Sequence, residues 1–232
     1  MVTVARSAIG NDASADLFIS IHHNSNTYDR HKNALAVFYK ISPPDPSREL
    51  ADCVMRRMRA SLDPPDARVL PGNFSVLRKT SSTAILGEAS YLTHRQNETM
   101  LHLHPMLKLE AEAYFAGIVD YCRRGIPSIS GVAPSGVTVA DARPEVSARI
   151  ADDAYGKGID ASSIRLYLDG APVGHRYDPQ TGLVKCVPEK PLTGGAHSIR
   201  VEASNLGGNS ARPGSAVFTV SLPPATIEID AM

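Results

Sequence analysis

The sequence predicts an α/β layer followed by an all-β sandwich. Up to Gly125, strand-like apolar runs alternate with helix-like stretches. From Ile126 the hydrophobic rhythm becomes period two, and turn signals recur at the spacing of a sandwich. The boundaries that follow are an α/β unit over 1–125, a sandwich over 126–222 and a loose tail over 223–232. Alternating strands and helices imply a largely parallel sheet with flanking helices.

In chain order, Asp16-Leu17-Phe18-Ile19-Ser20-Ile21 is an apolar run suited to a strand buried on both faces, and Ala34 to Tyr39 is a second. Asp45-Pro46 offers an N-cap and a proline at the first helical position. Leu50, Val54, Met58 and Leu62 then follow at helical spacing, with Arg56, Arg57 and Arg59 toward water, until Pro64-Pro65 stops the helix. Thr83 to Gly87 reads as a third buried strand. Asn97 reads as the N-cap of a short helix, and a long helix runs from about Pro105 to Arg124 with Leu107, Tyr114, Ile118 and Tyr121 on its apolar stripe. Arg123-Arg124 and Gly125 suit its C-terminal end. Beyond it, Ile164, Leu166 and Leu168, then Ile199, Val201 and Ala203, alternate with polar residues as half-buried strands do. Turns are marked by Asp169-Gly170, Asp178 to Gly182, Gly194-Gly195 and Gly207-Gly208-Asn209.

Composition narrows the function classes. Lys plus Arg and Asp plus Glu are both 24 in 232 residues, so the chain lacks the basic footprint of a nucleic-acid binder. No apolar run approaches the ~18–20 residues of a membrane span. The first residues, Met1 to Ser7, show no signal peptide. Cys53, Cys122 and Cys186 match no zinc-finger or redox spacing and read as free thiols on apolar faces.

The first strand stops in a polar cluster, His22-His23-Asn24-Ser25. Ligands of open α/β sheets bind beyond the carboxyl ends of strands, and a neutral imidazole there is a zinc ligand type. Glu88 repeats the pattern at the end of the third strand, where a shielded carboxylate can serve as general base and then acid. Read separately, the histidines are more simply part of a polar loop, and Glu88 a helix-start or loop glutamate.

Together they resemble a family. Arg6-Ser7-Ala8-Ile9 and Ala15-Asp16-Leu17-Phe18-Ile19-Ser20-Ile21-His22-His23-Asn24 are similar to the helix and Ser-Ile-His-x-Asn strand of the zinc-dependent N-acetylmuramoyl-L-alanine amidases of the amidase-3 family. Val76-Leu77-Arg78 and Ala84-Ile85-Leu86-Gly87-Glu88-Ala89-Ser90-Tyr91-Leu92-Thr93 resemble its Leu-Arg element and the strand that ends in its catalytic glutamate, with departures at Ala89, Tyr91 and His94. The resemblance implies a peptidoglycan hydrolase that cuts the amide between N-acetylmuramic acid and L-alanine, acting outside the cytoplasmic membrane. It implies Zn2+ as cofactor, His22 as one of its ligands and Glu88 as the catalytic carboxylate. Asn24 and Arg78 become candidate substrate contacts, with orientation of Glu88 or a structural ion pair as the other readings of Arg78.

The family's first zinc histidine and its glutamate ligand precede the segment matched here. The resemblance therefore implies an N-terminally truncated catalytic domain with an incomplete zinc site and impaired activity, or a degenerate non-catalytic descendant that is a cell-wall-binding or structural protein. Loss of that segment would also leave a sheet edge or an apolar face open. His23 and His31 are not expected as replacement ligands: adjacent strand residues point to opposite faces, and His31 lies in the charged loop Asp29-Arg30-His31-Lys32.

The second unit resembles bacterial immunoglobulin-like modules through Arg143-Pro144, the Ile164 to Gly170 strand and turn, Tyr177-Asp178 with Thr181-Gly182, the strand His197-Ser198-Ile199-Arg200-Val201 and Gly208-Asn209. The implied role is a spacer or wall contact. His175 and His197 are expected at the surface or a strand edge.

Overall fold

The computed structural model describes residues 2–41 and 45–222. The first unit runs α1 (Val2–Asp12), β1 (Leu17–Asn24), β2 (Leu35–Lys40), α2 (Ser47–Leu62), β3 (Ala67–Gly72), α3 (Ser75–Lys79), β4 (Thr83–Tyr91), α4 (Arg95–Leu101) and α5 (His104–Cys122). Its sheet has the order β1-β4-β2-β3. The pairs β1–β4 and β2–β3 are parallel, but β2 and β4 run antiparallel, so the sheet is mixed rather than largely parallel. The cause lies between β1 and β2, where the connection is a loop with no crossover helix; the chain turns back, and β2 opposes β1. The strand β3 carries Pro71 and no continuous apolar run, and it occupies an edge, where a proline is tolerated.

Two helices cover one face of the sheet. Leu35, Val37, Ile85 and Ala89 pack against Leu50, Val54 and Met58 of α2 and against Ala113, Tyr114 and Tyr121 of α5. The other face holds a smaller cluster of Ala84, Leu86, Val76 and Leu77 with Phe18 and Phe38. The close crossing of α2 and α5 depends on Gly117, since a Cβ there would lie 2.4 Å from the Val54 Cα. The arginines of α2 face water as expected, and Arg57 forms a bidentate pair with Asp120 of α5 at 2.7 and 2.8 Å.

Several local expectations shift. The strand β1 is not buried on both faces: it lies at the sheet edge, Leu17, Phe18 and Ile19 are half-buried, and Ile21 is 55% exposed. Helix α2 starts one residue late, with Pro46 at the cap position and Asp45 Oδ1 accepting the Ser47 N–H at 2.9 Å. Asn97 lies inside α4 instead of capping it; its side chain ties Asn33 to the Tyr91 carbonyl. Leu107 is exposed, because the buried stripe of α5 begins only at Glu110. All three cysteines are free; Cys53 and Cys186 are buried and Cys122 is partly so.

The second unit comprises β5 (Ser128–Ala133), β6 (Thr138–Val139), β7 (Val146–Ala151), β8 (Arg165–Leu168), β9 (Ala171–Val173), β10 (Arg176–Asp178), β11 (Leu183–Cys186), β12 (Gly195–Glu202) and β13 (Gly214–Val220). They form two sheets, β10-β11-β7-β5 and β6-β13-β12-β8-β9. The inward residues of both sheets share one core, which includes Ile150, Val184, Ile164, Leu166, Ile199, Val201 and Phe218. Asp169 and Gly170, both at positive φ, make the two-residue turn from β8 to β9. His197 is buried rather than at the surface: its Nδ1 meets Asp169 Oδ2 at 2.7 Å and its Nε2 meets the Thr193 carbonyl at 2.9 Å. His175 is partly exposed. The expected tail over 223–232 lies outside the described residues.

Candidate active site

The parallel register of β1 and β4 runs from Leu17 opposite Thr83 to His22 opposite Glu88. Residues paired in this way send their side chains to the same face. Phe18 with Ala84 and Leu86 fills the smaller core, while Leu17 and Ile19 with Ile85 and Ala89 fill the larger one. The same alternation sets His22 and Glu88 on one face, two residues before the end of β1 and three before the end of β4, so both lie inside strands that run on past the stops expected from sequence. His22 Nε2 lies 3.0 Å from Ser20 Oγ, two residues back on the same face.

Glu88 is half-buried, and its Oε2 is a buried atom with no hydrogen-bond partner. Burial raises its pKa, and the nearby His23 opposes that rise. His23 turns to the opposite side from His22, as alternation requires, and its Nε2 meets Glu110 Oε2 of α5 at 2.9 Å. The hydrogen bond to Glu110 raises the His23 pKa; burial works against it, and the charges of Glu110 and Glu88 add to it. Just before Glu88, the Gly87 backbone lies against Tyr114: a Cβ on Gly87 would be 1.9 Å from the phenol oxygen. That oxygen is also buried without a partner. A small cavity of about 100 Å³ adjoins Glu110 and is lined by Asn33, Ala89, Ser90 and Asn97 among others.

The other candidates are placed differently. Asn24 closes β1; its Oδ1 accepts the Ser25 N–H at 2.8 Å and its carbonyl accepts the Leu92 N–H at 2.7 Å. Arg78, on α3, turns back on its own loop and donates to the Asn73 carbonyl and side chain at 2.5 and 2.8 Å. His31 stays in the exposed loop, where its N–H donates to Asp29 Oδ1. Glu110 escaped the sequence reading, yet it left a signal there: a carboxylate four residues before Tyr114 on the buried stripe of an amphipathic helix.

A zinc hydrolase centre takes three protein ligands beside its water. Among the described residues, no group of three or more His, Cys, Asp or Glu side chains converges. His22 offers one imidazole, while His23 is committed to Glu110. The donor set on these residues does not complete a zinc site. What the arrangement does supply is a partly desolvated carboxylate beside an imidazole, which is the equipment for moving a proton.

Comparison with known proteins bears on the same region. Over 113 residues the chain is 29% identical to an uncharacterized cell wall amidase of Bacillus anthracis, covering 46% of this chain and 21% of that protein. The N-acetylmuramoyl-L-alanine amidase structure from Clostridium difficile 630 aligns at 28% identity and TM-score 0.49, covering 51% of this chain and 64% of that one. For the amidase AmiC2 of Nostoc punctiforme the values are 31% and 0.47, with 52% and 65% covered. The chain thus spans about a fifth of the curated relative and less than two thirds of these solved structures. The family model described as N-acetylmuramoyl-L-alanine amidase matches residues 2–120, just over half of the chain, and on that ground the chain belongs to the Amidase_3 family.

Proposed function

We propose that the chain is a peptidoglycan hydrolase directed at the amide between N-acetylmuramic acid and the first L-alanine of the stem peptide. The observation that carries this reading is the register pairing of His22 and Glu88 on adjacent parallel strands, with a buried Glu88 oxygen free to accept a proton. Family membership over residues 2–120 supports it. In the reaction, water adds to the scissile carbonyl as Glu88 takes its proton. The carbon–nitrogen bond then breaks as Glu88 returns that proton to the departing amine. A carboxylate pKa raised by burial suits both halves of this exchange, since it brings base and conjugate acid closer in strength to the groups they serve. His23, whose own pKa the Glu110 hydrogen bond raises, opposes that rise.

The zinc implied by the family resemblance would take His22 as one ligand. The described residues do not supply the other two, so no step is assigned to the metal, and the reading has turnover by these 232 residues impaired. That shortfall favours a second reading, a non-catalytic protein that binds cell wall through the same site. In either case the chain works outside the cytoplasmic membrane, and the β-sandwich is an immunoglobulin-like module that serves as spacer or wall contact. No helix of the described residues is long and apolar enough to cross a membrane.

Incubation with purified sacculi, with and without added zinc, separates the readings. Release of stem peptides bearing a free L-alanine amine, abolished by Glu88→Gln, supports the hydrolase. Retention on sacculi without any release supports the second reading.

A further inference from the structure

The turn Gly207-Gly208-Asn209, so far only a loop signal, lies where the two units meet. Helix α5 ends there, with Arg123 at its C-cap and Gly125 at φ 83. A helix end leaves carbonyls without intrahelical partners. The sandwich reaches across to them. Asn209 Nδ2 donates to the carbonyls of Tyr121 at 2.9 Å and Gly125 at 2.7 Å. Asn205 Nδ2 donates to the Arg124 carbonyl at 2.7 Å and to the Asp152 carboxylate at 3.0 and 3.2 Å. Asn209 is fully buried and Asn205 nearly so.

The two asparagines also brace each other. Asn205 Oδ1 accepts the Asn209 N–H at 2.9 Å, and the Asn205 N–H donates to the Asn209 carbonyl at 2.9 Å. Glycines allow the approach: a Cβ on Gly207 would lie 2.1 Å from the Arg124 carbonyl oxygen, and one on Gly125 would lie 2.4 Å from the Gly156 Cα. Two outlying contacts widen the joint. Ser210 Oγ donates to Glu49 Oε1 in the first turn of α2 at 2.7 Å, and the Arg212 guanidinium donates to the Ser81 carbonyl just before β4.

We propose that the Asn205–Asn209 turn is a docking surface whose partner is the carbonyl end of α5, so that the sandwich is an integral part of the amidase unit rather than a module on a flexible tether. The chemistry explains the choice of side chain. A carboxamide presents two N–H donors from one short, uncharged planar group, and Asn209 keeps that fork even though its own Oδ1 is buried without a partner. An aspartate there would offer no donor and would set a negative charge against the negative end of the helix dipole. This inference stands on the joint alone and does not depend on what the His22–Glu88 pair does.

The test uses the full chain, with calorimetry and hydrogen exchange on the wild type and on Asn205→Ala/Asn209→Ala. The wild type is expected to unfold in one transition with protected amides over residues 123–126. The double variant is expected to split into two transitions, and those amides to exchange at least about tenfold faster. Two independent transitions in the wild type, or unchanged exchange in the variant, would overturn the proposal. If the double variant does not fold, Gly207→Ala decides in its place. It leaves both amides intact but drives a methyl into the Arg124 carbonyl; split transitions again support the joint, and wild-type behaviour refutes it.

Discussion

Replacing Tyr114 by phenylalanine should make the protein more stable. The residue is 2% exposed, and its phenol oxygen is buried with no hydrogen-bond partner. Burial drives its pKa far upward, and the charges of Glu110 and Glu88 add to that, so the hydroxyl stays neutral across the working range. A buried hydroxyl that finds no partner costs about 1–3 kcal/mol. Removing it leaves an oxygen-sized void of roughly 15 Å³, worth about 0.4 kcal/mol at ~24 cal/mol per Å³. The expected net gain is about 1 kcal/mol, or roughly 2–4 °C in Tm for a chain of this length. Gly87 supplies an internal check. Gly87→Ala would set a Cβ 1.9 Å from the phenol oxygen and 2.7 and 2.8 Å from the ring carbons behind it. On its own this overpacking should cost about 1–3 kcal/mol. In the Tyr114→Phe background the nearest obstacle is gone while the ring carbons remain, so the cost should fall by about 1 kcal/mol without vanishing. Urea unfolding of the wild type, both single variants and the double variant measures all four corners. A Tyr114→Phe protein less stable by about 1 kcal/mol, or strictly additive variants, would refute the reasoning, because the hydroxyl would then have a partner.

Three further outcomes are expected. His197 faces two acceptors, the Asp169 carboxylate and the Thr193 carbonyl, and these hydrogen bonds raise its pKa. Its contribution to stability is therefore complete below the ordinary histidine value and is lost as pH rises through the folded one, so thermal melts should drop across neutral pH, and Asp169→Asn should flatten that drop. Glu88→Gln should leave stability unchanged or slightly higher at neutral pH, since burial already disfavours the charged carboxylate, while any amide release falls by roughly 10²–10⁴-fold. Metal analysis of the purified chain should find zinc well below one equivalent, with His22→Ala reducing it further; full occupancy after dialysis would overturn the ligand reading.

The sequence revealed those elements whose pattern is local. Leu50, Val54 and Met58 announce α2 through their spacing, and Arg123 to Gly125 mark where α5 stops, because a helix period and a C-terminal glycine are written in a few consecutive residues. The place of His22 and Glu88 just past apolar runs was legible for the same reason, although β1 and β4 carry on through them to Asn24 and Tyr91. Long-range facts were not. The antiparallel β2–β4 pairing depends on how a loop turns, and the exposed Ile21 depends on which strand takes the edge. The His23–Glu110 contact joins residues 87 positions apart. The burial of His197, expected at the surface or a strand edge, was not legible either, since a histidine in an alternating strand looks the same whether its partners are water or Asp169 and Thr193.

The joint with the sandwich involves the foot of α5, the first turn of α2 and the approach to β4. Glu88 lies toward the other end of β4, roughly 17 Å along the strand from Thr83 at ~3.3 Å per residue. Under the proposed function, the polymer reaches His22 and Glu88 at the end of the sheet away from this joint. By the same token, a surface or reporter coupled to that module would be attached beyond the joint, at the Thr83 end of the sheet rather than the Glu88 end.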